Sequence, residues 1–237
     1  MATTKINILS TRPLDELLIH KAAGRNIFID TASFIETVPL VNPEISGRIH
    51  AWETKKITAV FTSRNAVEAV TRQLSSRPDW QIYCIGGITK ELVFKFFGEA
   101  AVIASAKNAT ALAEKIIAIS PVSKLVFFCG DQRLDDLPEK LAKTGISLEE
   151  CIVYTSKQTP QLAEKSYQGV LFFSPSAVHS FFSLNTIPTG TVLFSIGKTT
   201  TATIQSYCVN KIITSEWPGK EPMIEQVMQY FQTVKQA

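Results

Sequence analysis

The chain has 237 residues, 45% of them apolar and 19% charged, with 24 Lys and Arg against 21 Asp and Glu. This composition excludes a disordered tail, because it supplies enough apolar side chains for one large core or two small ones. No apolar run approaches the roughly 20 residues of a membrane span, and the segment MATTKINILSTRP lacks a secretory signal pattern, so we expect a cytoplasmic protein without a membrane partner. A formal charge of +3 without basic clusters disfavours a nucleic-acid partner, although it suits an anionic small molecule.

In chain order, short apolar strands alternate with segments of helical periodicity. An apolar strand in KINILSTRP (5–13) is followed by a proline-bearing segment, ETVPLVNPE (36–44). The next segments are AVFTSRNAVEAV (59–70), IYCIGGITKELV (82–93), AAVIAS (100–105), NATALAEKI (108–116), KLVFFCGDQR (124–133) and a second proline-bearing segment, VYTSKQTPQ (153–161). This alternation is typical of βαβ units and predicts an α/β fold with parallel sheets.

The elements that follow repeat the earlier ones. VLFFSPSAVHSF (170–181) resembles AVFTSRNAVEAV, and LFSIGKTTTATI (193–204) resembles IYCIGGITKELV. The register agrees, because Ser63 and Gly86 are 23 positions apart (86 − 63), as are Ser174 and Gly197 (197 − 174). NKIITS (210–215) and PMIEQVMQYF (222–231) then supply a matching strand and helix. Since KINILSTRP resembles KLVFFCGDQR, we expect a strand from the chain start to complete the second copy.

The repeat predicts two similar doubly wound parallel-sheet domains with an interleaved chain. One domain is predicted to comprise residues 1–38 and 158–237, and the other is an insertion of residues 39–157. The two proline-bearing segments are predicted to connect the domains, because proline suits an edge or crossing strand. Two connections between two domains predict a two-segment hinge.

Polar side chains collect where the predicted strands end. Because doubly wound sheets bind ligands beyond the carboxyl ends of their strands, the candidate binding residues are Arg12, Thr62, Ser63, Arg64, Thr89, Ser174, Ser176, Lys198, Thr199 and Thr200. Arg133 stands beside the same turns and is expected to add a charge-assisted hydrogen bond. Any single hydroxyl is also explained as a helix N-cap, and any single Arg or Lys as a solvent-exposed charge. As a set, these residues predict the facing rims of one cleft that binds a polyanion.

Several common site types have no sequence signal. Neither G-x-G-x-x-G nor G-x-x-x-x-G-K-[ST] occurs, and the three histidines (His20, His50, His179) lie far apart. Four cysteines (Cys84, Cys129, Cys151, Cys208) lack C-x-x-C spacing, and three of them lie in apolar runs, which predicts free core thiols. We therefore expect neither a metal nor a cofactor.

Five short motifs in order give the chain a resemblance to the uroporphyrinogen-III synthase family over nearly its whole length. They are FTS-x-NAV (61–67), IGGIT (85–89), VYTS (153–156), FFSPSAV (172–178) and SIGKTT (195–200). The resemblance implies a monomeric, cofactor-free lyase of porphyrin and heme biosynthesis. Its reaction cyclises hydroxymethylbilane, a linear tetrapyrrole with many carboxylates, to uroporphyrinogen III. Water is lost and the last ring is inverted through a spiro intermediate.

The resemblance also implies roles for particular residues. Tyr154 of the VYTS motif matches a linker tyrosine that would donate a proton or a hydrogen bond to the leaving hydroxyl. The alternative is a packed strand tyrosine whose hydroxyl is bonded to backbone. The threonine and serine candidates correspond to rim and turn residues of the family, whereas Lys198 and Gly87 depart from its usual residues. As a second hypothesis for the whole chain, the cleft would belong to a non-catalytic two-domain binding protein for a small polyanion.

Overall fold

A computed structural model describes residues 5–119, 124–217 and 219–236 of the chain. Parts of both predicted domains, residues 1–4, 120–123, 218 and 237, lie outside the described residues. The strands are β1 Ile6–Ser10, β2 Ile27–Thr31, β3 Ile35–Pro39, β4 Thr58–Phe61, β5 Gln81–Ile85, β6 Val102–Ala106, β7 Lys124–Gly130, β8 Ser147–Gln158, β9 Gly169–Phe172, β10 Val192–Ser195 and β11 Ile212–Thr214. The helices are α1 Glu16–Ala23, α2 Pro43–Glu53, α3 Arg64–Thr71, α4 Ile88–Phe97, α5 Ala109–Ile119, α6 Asp136–Ala142, α7 Pro175–Phe182, α8 Lys198–Gln205 and α9 Lys220–Gln236.

The chain divides into two compact units. Unit 1 comprises Met1–Glu36 and Lys157–Ala237, and unit 2 comprises Thr37–Ser156. The sequence-based boundaries, after residues 38 and 157, lie slightly C-terminal of these. The chain passes from one unit to the other twice, once within β3 and once within β8.

Each unit is built on one sheet. The strand order is β11-β10-β9-β1-β2 in unit 1 and β3-β8-β7-β4-β5-β6 in unit 2. All neighbouring strands in the unit 1 order pair in parallel. In unit 2 the same holds for the neighbours in the series β8-β7-β4-β5-β6. The α/β class with two parallel sheets, predicted from the alternating pattern, is confirmed.

The interleaved chain is confirmed by the strand order. In unit 1, β1 lies between β9 and β2, as β7 lies between β4 and β8 in unit 2. The two sheets therefore have equivalent strands in a different order along the chain. Strand β3 is an additional edge strand of unit 2 and ends at Pro39, which cannot donate to a ladder.

The core of unit 2 fixes the ends of its central strands. The rings of Phe61, the last residue of β4, and Phe128 of β7 stack with centroids 5.2 Å apart. Trp80 stacks on the same Phe128 ring at 5.5 Å, and its Nε1–H donates to the backbone carbonyl of Trp52 at 3.0 Å. All four rings are buried, and aromatic pairs of this geometry add about 0.5–1.5 kcal/mol beyond the area that they bury. The turns that leave β4 and β7 therefore start from a rigid base.

Candidate functional site

A pocket of about 310 Å³ lies at the carboxyl edge of the unit 2 sheet. Most of its wall is apolar, with Ile85, Phe127, Leu134 and Leu137 among the lining side chains. The predicted site residues Thr62, Ser63 and Tyr154 also line it. The turn after β4 and the tyrosine of β8 are thus brought together, although 91 positions separate Ser63 from Tyr154.

The hydroxyl groups of Ser63 and Tyr154 form a hydrogen bond in this pocket. Their oxygens are 3.0 Å apart, and either can be the donor. Ser63 is also the N-cap of α3, where its Oγ accepts from the backbone N–H of Ala66 at 3.1 Å. The two explanations of Ser63, helix cap and site residue, therefore apply together.

Burial makes the Tyr154 phenol a weaker acid. Removal of the ring from water raises the pKa of Tyr154 above its ordinary value, while the hydrogen bond from Ser63 lowers it by less. The phenol is therefore neutral at pH 7 and has one O–H to donate. Its hydroxyl partner is the side chain of Ser63, while its ring packs against the core cluster of unit 2, as a packed strand tyrosine would.

Arg133 lines the same pocket, but acidic side chains already bind its guanidinium. Its Nε and Nη2 donate to the two carboxylate oxygens of Glu150 at 2.6 and 2.8 Å, and Nη1 pairs with Asp135. These hydrogen bonds, with that of Glu150 the largest cause, raise the pKa of Arg133 above its usual range. Sequence reasoning placed Arg133 beside the turns and missed this pairing, because Glu150 belongs to the neighbouring strand β8.

Helix α4 follows strand β5 of the same sheet and has a glycine at its N-cap, where α3 has Ser63. Gly87, at the N-cap, has a φ of 64°, a conformation that other residues rarely adopt. Among the described residues, no side chain caps this helix end, so its first N–H groups are available to an acceptor. Thr89 is only 5% exposed, so it offers a ligand little of its hydroxyl, whereas Ile88 is 57% exposed.

Unit 1 carries a comparable edge with the remaining predicted residues. Arg12 follows β1, and its guanidinium lies over the ring of Phe173 at 5.4 Å. Ser174 is the N-cap of α7, with its Oγ accepting from the N–H of Ala177 at 3.2 Å, and Ser176 is half-buried in the first turn of that helix. Because β1, β9 and β10 are neighbours in the sheet, the turns that follow them lie side by side.

The turn after β10 forms the rest of this edge. Lys198 and Thr199 are exposed at the start of α8, whereas Thr200 is only 2% exposed. The N-cap is Gly197, and within the described part of the chain no side chain caps α8, as in α4. Thr201, which the sequence did not single out, links Ser195 and Thr214 through its hydroxyl, with 2.6 Å to Thr214 Oγ1. This chain of hydroxyls ties the turn to β11.

No cysteine is among the residues that line the pocket described above. All four are free; Cys84, Cys129 and Cys151 are buried, as the apolar runs predicted, and Cys208 is partly exposed. Burial raises the pKa of Cys84 to about 11 and that of Cys129 to about 12.

Within residues 5–119, 124–217 and 219–236, no three His, Cys, Asp or Glu side chains group as metal ligands. No helix in those ranges is long and apolar enough to cross a membrane.

Each unit has an α/β fold with a parallel sheet and polar turns beyond the strand ends. These features define the class of doubly wound proteins, which bind small molecules at the carboxyl edge of a sheet. The fold resembles that of solved uroporphyrinogen-III synthases. The enzyme from Helicobacter pylori is 15% identical with a TM-score of 0.66, and the match covers 96% of this chain and 100% of that one. A mutant of the Thermus thermophilus enzyme is 10% identical with a TM-score of 0.61, covering 98% and 100%.

The family follows from a separate comparison. The family model HEM4, described as uroporphyrinogen-III synthase HemD, matches residues 22–225. The chain belongs to this family. Its activity is therefore that of a cyclising lyase of tetrapyrrole biosynthesis, and its substrate class is a small-molecule tetrapyrrole. A non-catalytic binding protein for a small polyanion, the second hypothesis from the sequence, is not favoured.

Proposed function

We propose that Tyr154 serves the cyclisation of hydroxymethylbilane by donating a hydrogen bond to the hydroxyl group that leaves as water. The observation that carries this proposal is the 3.0 Å hydrogen bond between Tyr154 and Ser63 in an otherwise mostly apolar pocket. Water leaves more readily than hydroxide, so a donor at this oxygen lowers the barrier to breaking the C–O bond.

The direction of the hydrogen bonds supports this role. The N–H of Ala66 donates to Ser63 Oγ, so the Ser63 hydroxyl can in turn donate to Tyr154 Oη. In that arrangement the Tyr154 O–H remains available to donate to the substrate, and the successive hydrogen bonds polarise one another. Because burial raises the pKa of Tyr154, the group donates without ionising first.

The substrate supplies the rest of the driving force. The pyrrole nitrogen pushes electrons toward the hydroxymethyl carbon as the C–O bond breaks. The leaving oxygen takes up a proton from solvent and departs as water, and the pyrrole N–H proton is released to solvent, so that the reaction balances. The azafulvene that remains is attacked by the substituted carbon of the last ring, which gives the spiro intermediate. We propose that the protein holds the conformer that reaches this step, since the bilane also closes unaided to the non-inverted isomer.

We propose that the polar edges bind the carboxylates of the bilane. The starts of α4 and α8, which no side chain of the described residues caps, offer backbone N–H groups to anionic oxygens, and the helix dipole adds to this attraction. Arg12, Arg64 and Lys198 are exposed in these turns and suit charge-assisted hydrogen bonds. Thr62, Ser176 and Thr199 belong to the segments that follow β4, β9 and β10, so their hydroxyls are further proposed hydrogen-bond donors to the substrate. Thr89 and Thr200, being buried, would act mainly by shaping the helix starts.

Replacement of Tyr154 by phenylalanine tests the proposal. Purified protein is mixed with freshly made hydroxymethylbilane without metal or cofactor, and the oxidised porphyrin isomers are separated. We expect Tyr154→Phe to form the III isomer about 100-fold to 1,000-fold more slowly, so that the spontaneous I isomer dominates.

The matched control is Tyr167→Phe in unit 1. The Tyr167 hydroxyl donates to Asp30 at 2.9 Å, so this variant loses a tyrosine hydrogen bond outside the pocket. It should keep the parent rate. A Tyr154→Phe variant that forms the III isomer at the parent rate would remove the proposed role of Tyr154 and leave the family assignment intact.

We also propose that the chain acts as a cytoplasmic monomer without nucleic-acid or membrane partners. The small formal charge of +3 and the absence of basic clusters in the sequence support the part that concerns nucleic acid. Light scattering of the purified protein tests the monomer, for which we expect a mass near 26.2 kDa.

A further inference from the structure

Strand β8 contains an irregularity one residue before the proposed hydrogen-bond donor. Along the β7–β8 ladder Cys129 pairs with Ile152, but the next residue, Gly130, pairs with Tyr154. Val153 is therefore an extra residue on β8, which makes this a β-bulge. Bulges are common next to active sites, where they redirect a side chain.

The bulge changes the side of the sheet on which Tyr154 packs. In a regular strand successive side chains point to opposite faces. Here Cys151 and Val153 are buried in the core cluster that contains Phe61 and Phe128, and Tyr154 packs against that same cluster. Ile152, which would share the direction of Tyr154 in a regular strand, is 43% exposed. The extra residue thus turns the tyrosine ring from the exposed side toward this core cluster and toward Ser63, whose hydroxyl it meets at 3.0 Å.

Gly130 provides the space for the redirected ring. A Cβ atom at this position would lie 2.8 Å from Tyr154 Oη and still closer to the ring carbons Cε2 and Cζ. The adjoining backbone is held in place, because the N–H of Asp131 donates to the Tyr154 carbonyl at 3.2 Å and the N–H of Ser156 donates to Asp131 Oδ1 at 2.9 Å. The strand pair therefore has little freedom to accommodate a methyl group.

We propose that Gly130 is a positioning residue for the reaction: the missing side chain at the end of β7 lets the Tyr154 ring lie there and keeps its hydroxyl on Ser63. The proposal rests on the role of Tyr154 proposed above. It assigns to Gly130 no contact with the substrate.

A double-mutant cycle with Gly130→Ala and Tyr154→Phe tests the proposal. The added methyl group contacts the ring in both backgrounds, so general structural effects are common to both. We expect Gly130→Ala to slow formation of the III isomer about 100-fold when Tyr154 is present, and by less than about 3-fold in the Tyr154→Phe background. Equal losses in the two backgrounds would overturn the proposal, as would an unchanged rate for Gly130→Ala.

A spectroscopic titration of Tyr154 separates this proposal from that for its catalytic role. The ultraviolet titration of each protein is corrected by subtracting that of its Tyr154→Phe partner. A ring displaced into water loses the effect of burial, so Gly130→Ala should lower the pKa of Tyr154 toward its ordinary value. An unmoved titration refutes the positioning role. If Gly130→Ala shifts the titration of Tyr154 but Tyr154→Phe leaves the rate of III-isomer formation unchanged, only the catalytic role of Tyr154 is refuted.

Two further variants complete the test. Gly169→Ala is the matched crowding control, since its Cβ would lie 2.8 Å from Ile8 Cδ1 in unit 1. We expect it to lower stability and leave the Tyr154 titration unchanged. If Gly130→Ala does not fold, Asp131→Ala releases the Ser156 N–H that holds the same strand pair. It should then slow the reaction only when Tyr154 is present, and an equal loss in both backgrounds again overturns the proposal.

Discussion

Replacement of Ser63 by alanine removes two hydrogen bonds from unit 2 at once. The first is the cap of α3, in which Ser63 Oγ accepts from Ala66 N–H at 3.1 Å; such caps contribute about 1 kcal/mol. The second is the 3.0 Å bond to Tyr154, whose loss costs about 1–3 kcal/mol when the partner is left unsatisfied. Tyr154 lines an open pocket, so water can reach its hydroxyl, and the lower end of that range applies. We expect a total loss of about 2 kcal/mol.

Ser174→Ala is the matched control for this prediction. Ser174 caps α7 of unit 1 through Ala177 N–H at 3.2 Å, and both capped helices have 8 residues. The control should therefore lose only the cap, about 1 kcal/mol. The difference between the two variants, about 1 kcal/mol, then measures the bond to Tyr154.

Denaturation by urea measures both losses, with one signal that reports mainly on unit 2 and one that reports on both units. Trp52 and Trp80 are buried in unit 2, so a change of their fluorescence follows the unfolding of that unit, and far-UV circular dichroism follows both units. Removal of Ser63 should also raise the pKa of Tyr154 further, because that hydrogen bond lowers it. Equal losses for Ser63→Ala and Ser174→Ala, together with an unmoved Tyr154 titration, would refute the reasoning.

Two other predictions concern stability. Burial raises the pKa of Cys84 and Cys129 from 9.0 to about 11 and 12. Below pH 9 both thiols are neutral in the folded and in the unfolded chain, and as the pH rises above 9 the unfolded chain ionises first. The free energy of unfolding therefore falls by up to about 1.4 kcal/mol per pH unit for each thiol. Urea unfolding between pH 8 and 11 should show a shallower decline for Cys84→Ala than for the control Cys208→Ala, and identical slopes would contradict this. Thr201→Val breaks the hydroxyl chain beside α8 and should cost about 1–2 kcal/mol. Thr203→Val, which loses only a bond within α8, should cost less; the reverse order in urea denaturation would speak against the chain of hydroxyls.

Much of the fold follows from local patterns in the chain. Apolar runs buried on both faces predict parallel strands, and the two copies of the strand–turn–helix pattern predict two similar sheets. Ser63 and Ser174 are identified as turn residues because a serine before a helical pattern is a local cap signal. The origin of one strand of unit 1 is also accessible, since the resemblance of the first strand to a later one indicates that a distant segment completes the sheet.

The details of the candidate site depend on contacts between distant segments. Arg133 looks available in the sequence, but Glu150 on the neighbouring strand binds its guanidinium. Thr89 carries a hydroxyl at a predicted rim, yet the packing of α4 buries it. A glycine at a strand end is a general signal for a bulge or a close approach, and Gly130 shows it, but the signal does not say which residue approaches.

The sequence by itself determined many of the strands and helices, the two-sheet architecture and the turns in which the polar residues lie. These properties depend on periodicity, capping and turn chemistry over a few neighbouring residues. Only the tertiary structure decided where the Tyr154 hydroxyl points. That direction depends on one extra residue in the pairing of β8 with β7, and on the space left at Gly130, so it is set by strands that meet only when the sheet has formed.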